Sequence, residues 1–281
     1  MHYGPISAAT GRSTEDLARR MRCRALEMVT RARASHIGSA LSIADIVAVL
    51  YGRVLRVDPT IPDHPERDRF ILSKGHACVA VYAALAETGF IDPALLETYG
   101  AEGSALMAHI SHKVPGVEFS TGALGQGLPF GTGKALAAKR SGKAWRTVVL
   151  TSDGEWGEGS NWEAALFAAH HKLDNLLCII DYNKLQSLTS VDETLRLEPL
   201  HAKFDAFGWV VEEVDGHDHA ALAKALDAAS WPAGKPAMLI AHTIKGKGVS
   251  FMEDRVEWHY RSPTAELLAQ AIAEIEGTDH A

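Results

Sequence analysis

The sequence predicts an α/β fold, a doubly wound and mostly parallel sheet with helices on both faces, filling residues 1–281 as a single domain. Two observations predict it. Short apolar runs alternate with helical patterns from Thr147 onward, which is the pattern of βαβ units. The runs are also apolar nearly from end to end, as "NLLCIID" is, and a strand of that kind is buried between two layers of helices. No internal repeat, low-complexity tract or interdomain linker divides the chain.

Taken in order, Thr14 to Ala34 carries a helical pattern, and Ser42 to Leu55 ("SIADIVAVLYGRVL") carries another. Arg69 to Leu72 reads as a short strand and His76 to Thr88 as a third helix. The glycine-rich "STGALGQGLPFGTGKALAAKR" is a loop turning into a helix. Beyond it, "TVVLTSD", "NLLCIID", "WVVEEVDG" and "AMLIAHT" read as strands. "SNWEAALFAAHHKL", "LHAKFDAFG" and "HAALAKALDAAS" read as the helices between them.

Composition narrows the function. Of 281 residues, 47% are hydrophobic and 22% charged, which excludes a disordered or fibrous chain. A net charge of −7 argues against a nucleic-acid partner or an anionic membrane surface. The basic stretch "ARRMRCRALEMVTRARAS" has its charges at helical spacing and reads as a helix surface. Cys23, Cys78 and Cys178 show no CxxC spacing, so a reducing compartment and no structural zinc are expected. With no signal-peptide pattern and no apolar run near the ~20 residues that span a bilayer, the expectation is a cytoplasmic, soluble protein.

The chemistry centres on "TVVLTSDGEWGEGSNWEAALFAAHHKLDNLLCIIDYNKLQS". Asp153 ends one strand, and Asn183, thirty residues later, follows the next. Neighbouring strands lie about 4.8 Å apart, so the two side chains can meet at one cation. Mg²⁺ takes oxygen ligands and usually keeps water and phosphate oxygens in its shell, and the carboxyl ends of the strands are where open α/β sheets bind ligands. Gly154, Gly157 and Gly159 let the backbone approach an anion, and Ser160 with Glu163 suggests an S-x-x-E capping box opening the helix toward a diphosphate. The tempting "GTGK" is not a nucleotide loop, because Leu128 and Ala135 stand where GxxxxGK[ST] needs Gly and Ser/Thr.

The stretch "SDGEWGEGSNWEAA…LDNLLCIIDYNKLQ" resembles the thiamine diphosphate motif, an Asp-Gly pair followed by a distant Asn. "SHIGSALSIADIVAVLY", "DRFILSKGHA", "VPGVEFSTGALGQGL", "VDGHD" and "AHTIKGKGVSFM…WH" resemble, in the same order, the diphosphate-binding N-terminal section of the transketolase family. The resemblance implies thiamine diphosphate and Mg²⁺ (or another divalent cation) as cofactors. It implies that Asp153, Asn183 and the carbonyl of Leu185 hold the metal, and that the Gly154 N–H meets the diphosphate. Gly122 and Leu124 would cradle the cofactor rings through their backbone, and Glu158 would link paired active sites. His36, His76, His109 and His259 would line the substrate channel or the cofactor diphosphate, with His112 an alternative to His109; His170 and His171 read as structural. Three departures stand out: Ser152 precedes Asp153 where glycine is usual, "ASHIG" replaces Gly-His-Pro-Gly, and the His109 loop is one residue short.

The family transfers a two-carbon ketol unit from a ketose (phosphate) to an aldose (phosphate). Its catalytic glutamate belongs to a following, pyrimidine-binding section with no counterpart in this sequence. The resemblance therefore implies an N-terminal subunit that needs a separate C-terminal subunit, in at least a heterotetramer. The alternatives are the α subunit of a 2-oxoacid dehydrogenase, a non-catalytic scaffolding subunit and, more distantly, an NAD-binding Rossmann domain, for which no G-x-G-x-x-G follows an early strand.

Overall fold

The computed structural model describes residues 11–227, 231 and 233–277. Among them five strands form one parallel sheet: β1 (Arg69–Leu72), β2 (Thr147–Ser152), β3 (Leu176–Tyr182), β4 (Val210–Asp215) and β5 (Ala237–His242), in the order β1-β2-β3-β5-β4. All are strands that the sequence predicts, although β4 (VVEEVD) is a half-exposed edge strand and not an apolar run. The helices are α1 (Thr14–Ala32), α2 (Ile37–Ser42), α3 (Ala44–Val49), α4 (Cys78–Glu87), α5 (Gly127–Arg140), α6 (Gly159–His170), α7 (Val191–Thr194), α8 (Leu200–Phe207), α9 (His219–Ala225) and α10 (Ala265–Gly277). None is long and apolar enough to cross a membrane.

Successive side chains of a strand point to opposite faces, and here each face has its own core. Val148 and Leu150 of β2, Leu177 and Ile179 of β3, and Leu239 and Ala241 of β5 join the core under α1, α3, α4 and α9. Val149, Cys178, Ile180, Met238 and Ile240 join the other core, with Trp156, Phe204 and Trp209, under α5, α6 and α8. The sheet is thus covered on both sides, as the continuous apolar runs require. Ser13 starts α1 by accepting a hydrogen bond from the Asp16 N–H at 3.2 Å, and Arg33 ends it in the left-handed conformation, φ 49°.

Three expectations are corrected. The helix expected over Ser42 to Leu55 is broken: α2 ends at Ser42, Ile43 turns the chain, α3 follows, and Leu50–Val54 is a wider π turn. Residues 37–52 are all buried, so no polar stripe marks where one helix stops and the next begins. The capping box at Ser160 and Glu163 is not formed. Glu158 takes the N-cap position without a side-chain cap, and the Ser160 hydroxyl instead donates to the Gly125 carbonyl at 2.6 Å. The cleft is lined by Ser152, Asp153 and Gly154, not by the first turn of α6, because a 3₁₀ turn (Gly154–Gly157) intervenes. Helix α10, packed on α1, has no counterpart among the expected elements. The end of the helix expected over "HAALAKALDAAS" (228–230) lies outside the described residues.

Candidate active site

The carboxyl ends of β1, β2, β3 and β5 converge on one cleft, and its floor is Asp181. The register pairs Ser152 with Asp181, so Asp153 emerges beside the end of β3. Asp181 is fully buried and accepts from Lys74 Nζ at 2.5 Å, Ser42 Oγ at 2.7 Å and Asn183 Nδ2 at 2.8 Å, as well as from Thr243 Oγ1. Burial alone would raise its pKa, but the Lys74 ammonium and these donors outweigh that and hold the carboxyl below its usual range. Asn183 is thereby pinned by its amide nitrogen, which leaves its oxygen facing Leu185 N at 3.1 Å.

Asp153 is 1% exposed and accepts from Gly154 N at 2.7 Å and Lys184 N at 2.5 Å. Burial first, and the Asp181 charge second, push its pKa up to about 7. Lys184, left-handed at φ 67°, turns the chain so that the carbonyls of Leu185 and Gln186 also face inward. Both accept from Lys245 Nζ, at 3.2 Å and 2.8 Å. These groups line a cavity of about 230 Å³ with Ser39, His76, Leu124, Ser152, Gly154, His259 and Tyr260.

The residues present fit a divalent cation bound to a diphosphate. Asp153, the Asn183 carboxamide oxygen and the Leu185 carbonyl are hard oxygen donors, and each oxygen retains a lone pair beyond the one hydrogen bond it accepts. Positive charge is what this spot attracts: an ammonium already rests on the Leu185 carbonyl, and a buried carboxylate beside Asp181 needs a cation to stay ionised at neutral pH. Among the described residues no group of three or more His, Cys, Asp or Glu forms a metal cage. A metal here would therefore complete its shell from ligand and water oxygens, which is the habit of Mg²⁺. Ser152 stands as the last residue of β2 in extended backbone, so serine is tolerated before Asp153.

A second layer ties the glycine loop to the strand ends. Glu155, buried, accepts from Gly125 N at 2.9 Å, from Ser152 N at 3.3 Å and from Ser73 Oγ, and burial raises its pKa. Ser73 Oγ accepts in turn from Gly127 N at 3.0 Å. A Cβ at Gly127 would lie 2.3 Å from Ser73 Oγ, and one at Gly75 2.3 Å from the Thr121 carbonyl, so both glycines are demanded by close approach. Gly122 is exposed, and a Cβ there would make ordinary contact with the His109 ring at 3.8 Å. Glu158 is exposed at the start of α6 and backs Gly125; it does not line the cleft.

The four expected histidines come together. Ring centroids lie 5.0 Å apart for His36 and His76, 4.9 Å for His36 and His259, 5.5 Å for His76 and His259, and 6.0 Å for His36 and His109. His112 lies apart, exposed, 2.7 Å from Ser120 Oγ. His36 adopts φ 73°, a conformation that costs a side-chain-bearing residue about 1–3 kcal/mol. It is held by its N–H to the His259 carbonyl at 2.8 Å and by Ser35 Oγ at 2.9 Å from its Nδ1. His76 Nε2 lies 3.2 Å from Ser39 Oγ, and His259 Nδ1 3.2 Å from Lys245 Nζ.

Burial, with His109 and Lys245 adding to it, lowers the pKa of His36 to about 4. Burial, then Lys245, lowers that of His259 to about 3, and burial, then Lys74, puts His76 well below its usual value. These rings are neutral near pH 7. An unfolded imidazole titrates near ~6.5, so between about pH 4 and ~6.5 the unfolded chain binds more protons, and stability falls as pH drops through that window. The thermal midpoint of the chain is expected to decline on acidification across it, and less steeply in a His36→Gln/His259→Gln variant. An identical slope in the variant would remove these histidines as the cause.

Sequence comparison decides the family. Residues 13–276 match the family described as transketolase, thiamine diphosphate binding domain. The chain belongs to that family. This transketolase-family chain is 43% identical to one of the subunits of the apulose-4-phosphate transketolase of Phocaeicola vulgatus, over 90% of each. It is 48% identical to the corresponding subunit from Actinobacillus succinogenes, over 86% of this chain and 87% of that one. Among solved structures, the transketolase from Leishmania mexicana superposes with a TM-score of 0.88 at 33% identity, covering 94% of this chain. The chain spans only 41% of that transketolase, but nearly the full length of the two apulose-4-phosphate transketolase subunits. A Rossmann NAD-binding domain is set aside, and the thiamine diphosphate fold stands.

Of the residues lining this cleft, the sequence names Leu124, Asp153, Gly154, Asn183, Leu185, His76 and His259 as candidates, with His36 and His109 in ring contact beside them, but not Lys245 or Tyr260, nor Lys74, Asp181 and Thr243 beneath it. Lys74 and Lys245 are within reach of sequence reasoning, since "SKGHA" and "TIKGKG" place each lysine just past a strand end, beside glycine.

Proposed function

We propose that this chain is the diphosphate-binding subunit of a two-chain transketolase. With a separate C-terminal subunit, thiamine diphosphate and Mg²⁺, it moves a two-carbon ketol unit from a ketose (phosphate) to an aldose (phosphate). The observation that carries this reading is the convergence of Asp153 and Asn183, at adjacent strand ends, in a cleft shared with His76 and His259, with His36 packed against both rings and His109 against His36. Thiamine diphosphate, when bound, supplies the nucleophilic carbon and the electron sink for breaking and remaking a carbon–carbon bond beside a ketose carbonyl.

The chain's own residues do the rest. Asp153, Asn183 and the Leu185 carbonyl hold the metal and, through it, the diphosphate; Lys245 adds positive charge to the same cleft. Gly122, Leu124 and Gly154 offer backbone to the cofactor, with Glu155 fixing the Gly125 turn beside them. His36, His76 and His259, as neutral imidazoles, each present one donor and one acceptor to sugar hydroxyls, with His109 at the exposed edge. Tyr260, 60% exposed, stands at the cavity mouth against His259, ring centroids 4.8 Å apart.

The partner subunit supplies the pyrimidine-binding section and its catalytic glutamate, and Glu158, at the exposed start of α6, faces the assembly in which two sites are linked. The active form is at least a heterotetramer. Three free cysteines fit a cytoplasmic location. Because relatives of this length are named for apulose 4-phosphate, that sugar is the first donor to assay.

Purified alone, the chain is expected to show negligible ketol transfer with thiamine diphosphate, Mg²⁺ and a donor–acceptor pair. Adding the partner should restore turnover, chelation by EDTA should abolish it, and Mg²⁺ should bring it back. Robust activity without a partner would overturn the split site. Release of CO₂ from a 2-oxo acid by the pair would favour a dehydrogenase component instead.

A further inference from the structure

Behind the cleft, on the face carrying α1 and α3, lies a polar network with no part in the chemistry above. Asp45 of α3, 5% exposed, accepts four hydrogen bonds. Arg22 Nη1 and Nη2 donate at 2.9 Å and 2.5 Å, His217 Nδ1 lies at 2.7 Å and His219 Nε2 at 3.0 Å. The network forms one wall of a surface cavity of about 750 Å³. Both Asp45 oxygens are fully engaged, so the carboxylate is a tether and not a waiting ligand site.

What it tethers is the segment after β5. His217 Nε2 accepts from the Ile244 N–H at 2.9 Å, and Arg22 Nε donates to the Lys247 carbonyl at 3.1 Å. A neutral imidazole accepts at one nitrogen and donates from the other. Receiving the Ile244 N–H therefore fixes the His217 proton on Nδ1, facing Asp45. Between these two anchors, Gly246 N donates to the Gly38 carbonyl at 3.0 Å. The segment is held at three successive points, and the side chain that leaves it toward the cleft is Lys245, 1% exposed. His219 makes a useful contrast. It shares Asp45, but its Nδ1 lies 2.8 Å from Thr14 Oγ1, and neither ring nitrogen bonds the 244–247 segment.

We propose that Asp45, acting through His217 and Arg22, positions residues 244–247 so that Lys245 reaches the diphosphate site, and that His217 thereby sets cofactor affinity without lining the cleft. Asp45, Arg22 and His217 are positioning residues, and the inference rests on the cleft being a thiamine diphosphate site. Supporting residues of this kind, which orient a binding group, typically change affinity by about 10–100-fold when removed.

The test is the affinity of the assembled two-chain enzyme for thiamine diphosphate at fixed Mg²⁺, measured by titration calorimetry alongside the thermal midpoint. His217→Ala is expected to weaken binding about tenfold or more. His219→Ala should cost similar stability yet leave affinity within about threefold. His217→Gln keeps an acceptor within reach of the Ile244 N–H and should recover most of the affinity. His217→Asn keeps the polarity without that reach and should bind like His217→Ala; the Gln and Asn pair decides the matter if the alanine variant fails to assemble. Unchanged affinity in His217→Ala, equal weakening in His219→Ala, or identical Gln and Asn variants would overturn the inference. Failure of the wild-type complex to bind thiamine diphosphate would instead overturn the functional reading, and this inference with it.

Discussion

Asp153→Ala is expected to lower ketol transfer by the assembled enzyme roughly a thousandfold, about 4 kcal/mol of transition-state stabilisation, while barely moving the thermal midpoint. The two halves of that result have separate causes. Activity goes because the carboxylate is the one anionic donor of the three at the proposed metal position, and without it the diphosphate loses its clamp. Stability is nearly preserved because two terms oppose each other. Removing the side chain relieves a buried like charge beside Asp181, the repulsion that helps push Asp153 up to about 7. It also orphans the N–H groups of Gly154 and Lys184, at about 1–3 kcal/mol for a buried group. Steady-state kinetics and scanning calorimetry on the same preparation separate the two. Full turnover in the variant would make the chain a scaffold that leaves the chemistry to its partner.

The largest loss of stability is expected from Lys74→Met. Lys74 and Asp181 are both fully buried, 2.5 Å apart. Breaking such a pair from one side leaves an uncompensated charge and costs about 3–5 kcal/mol, whereas replacing both members is often nearly neutral. On a chain of this size that is a fall in the midpoint of roughly 10 °C. Lys74→Met with Asp181→Asn should recover most of it, because the carboxamide oxygen can still accept from Ser42 and Asn183 while its NH2 donates to the Thr243 hydroxyl, without demanding a counter-charge. Additive losses in the double variant would mean that the pair is not coupled. Lys74→Met should also weaken cofactor binding, since Asp181 orients Asn183 through its Nδ2.

How much of this can be read from the amino acids follows from where each signal lives. Strands β2, β3 and β5 are legible because a doubly covered strand is written as an unbroken run of buried residues. Asp153 is legible because it interrupts such a run among glycines. Asp181 is not: it lies within the strand run, and nothing local tells a floor carboxylate from a strand-end cap. Its partners Ser42, Lys74 and Thr243 come from three other places in the chain, brought together only by the sheet order. The Arg22–Asp45–His217 network is hidden for the same reason, although "VDGHD" stands out as a motif. The break at Ile43 is invisible because burial on all sides removes helical periodicity. The Ser160 capping box fails because a tertiary contact, the Gly125 carbonyl, claims the hydroxyl first.

The two halves of the cleft differ in origin. The charge-binding floor is built on β2 and β3, in the interior of the sheet, where any shift would disturb both cores. The imidazole wall is assembled from residues 36, 76, 109 and 259, all outside the strands. Under the proposed function, sugar preference can drift by exchange of loop residues while the anchor for the cofactor stays intact, and one scaffold can serve many carbohydrates without being reinvented.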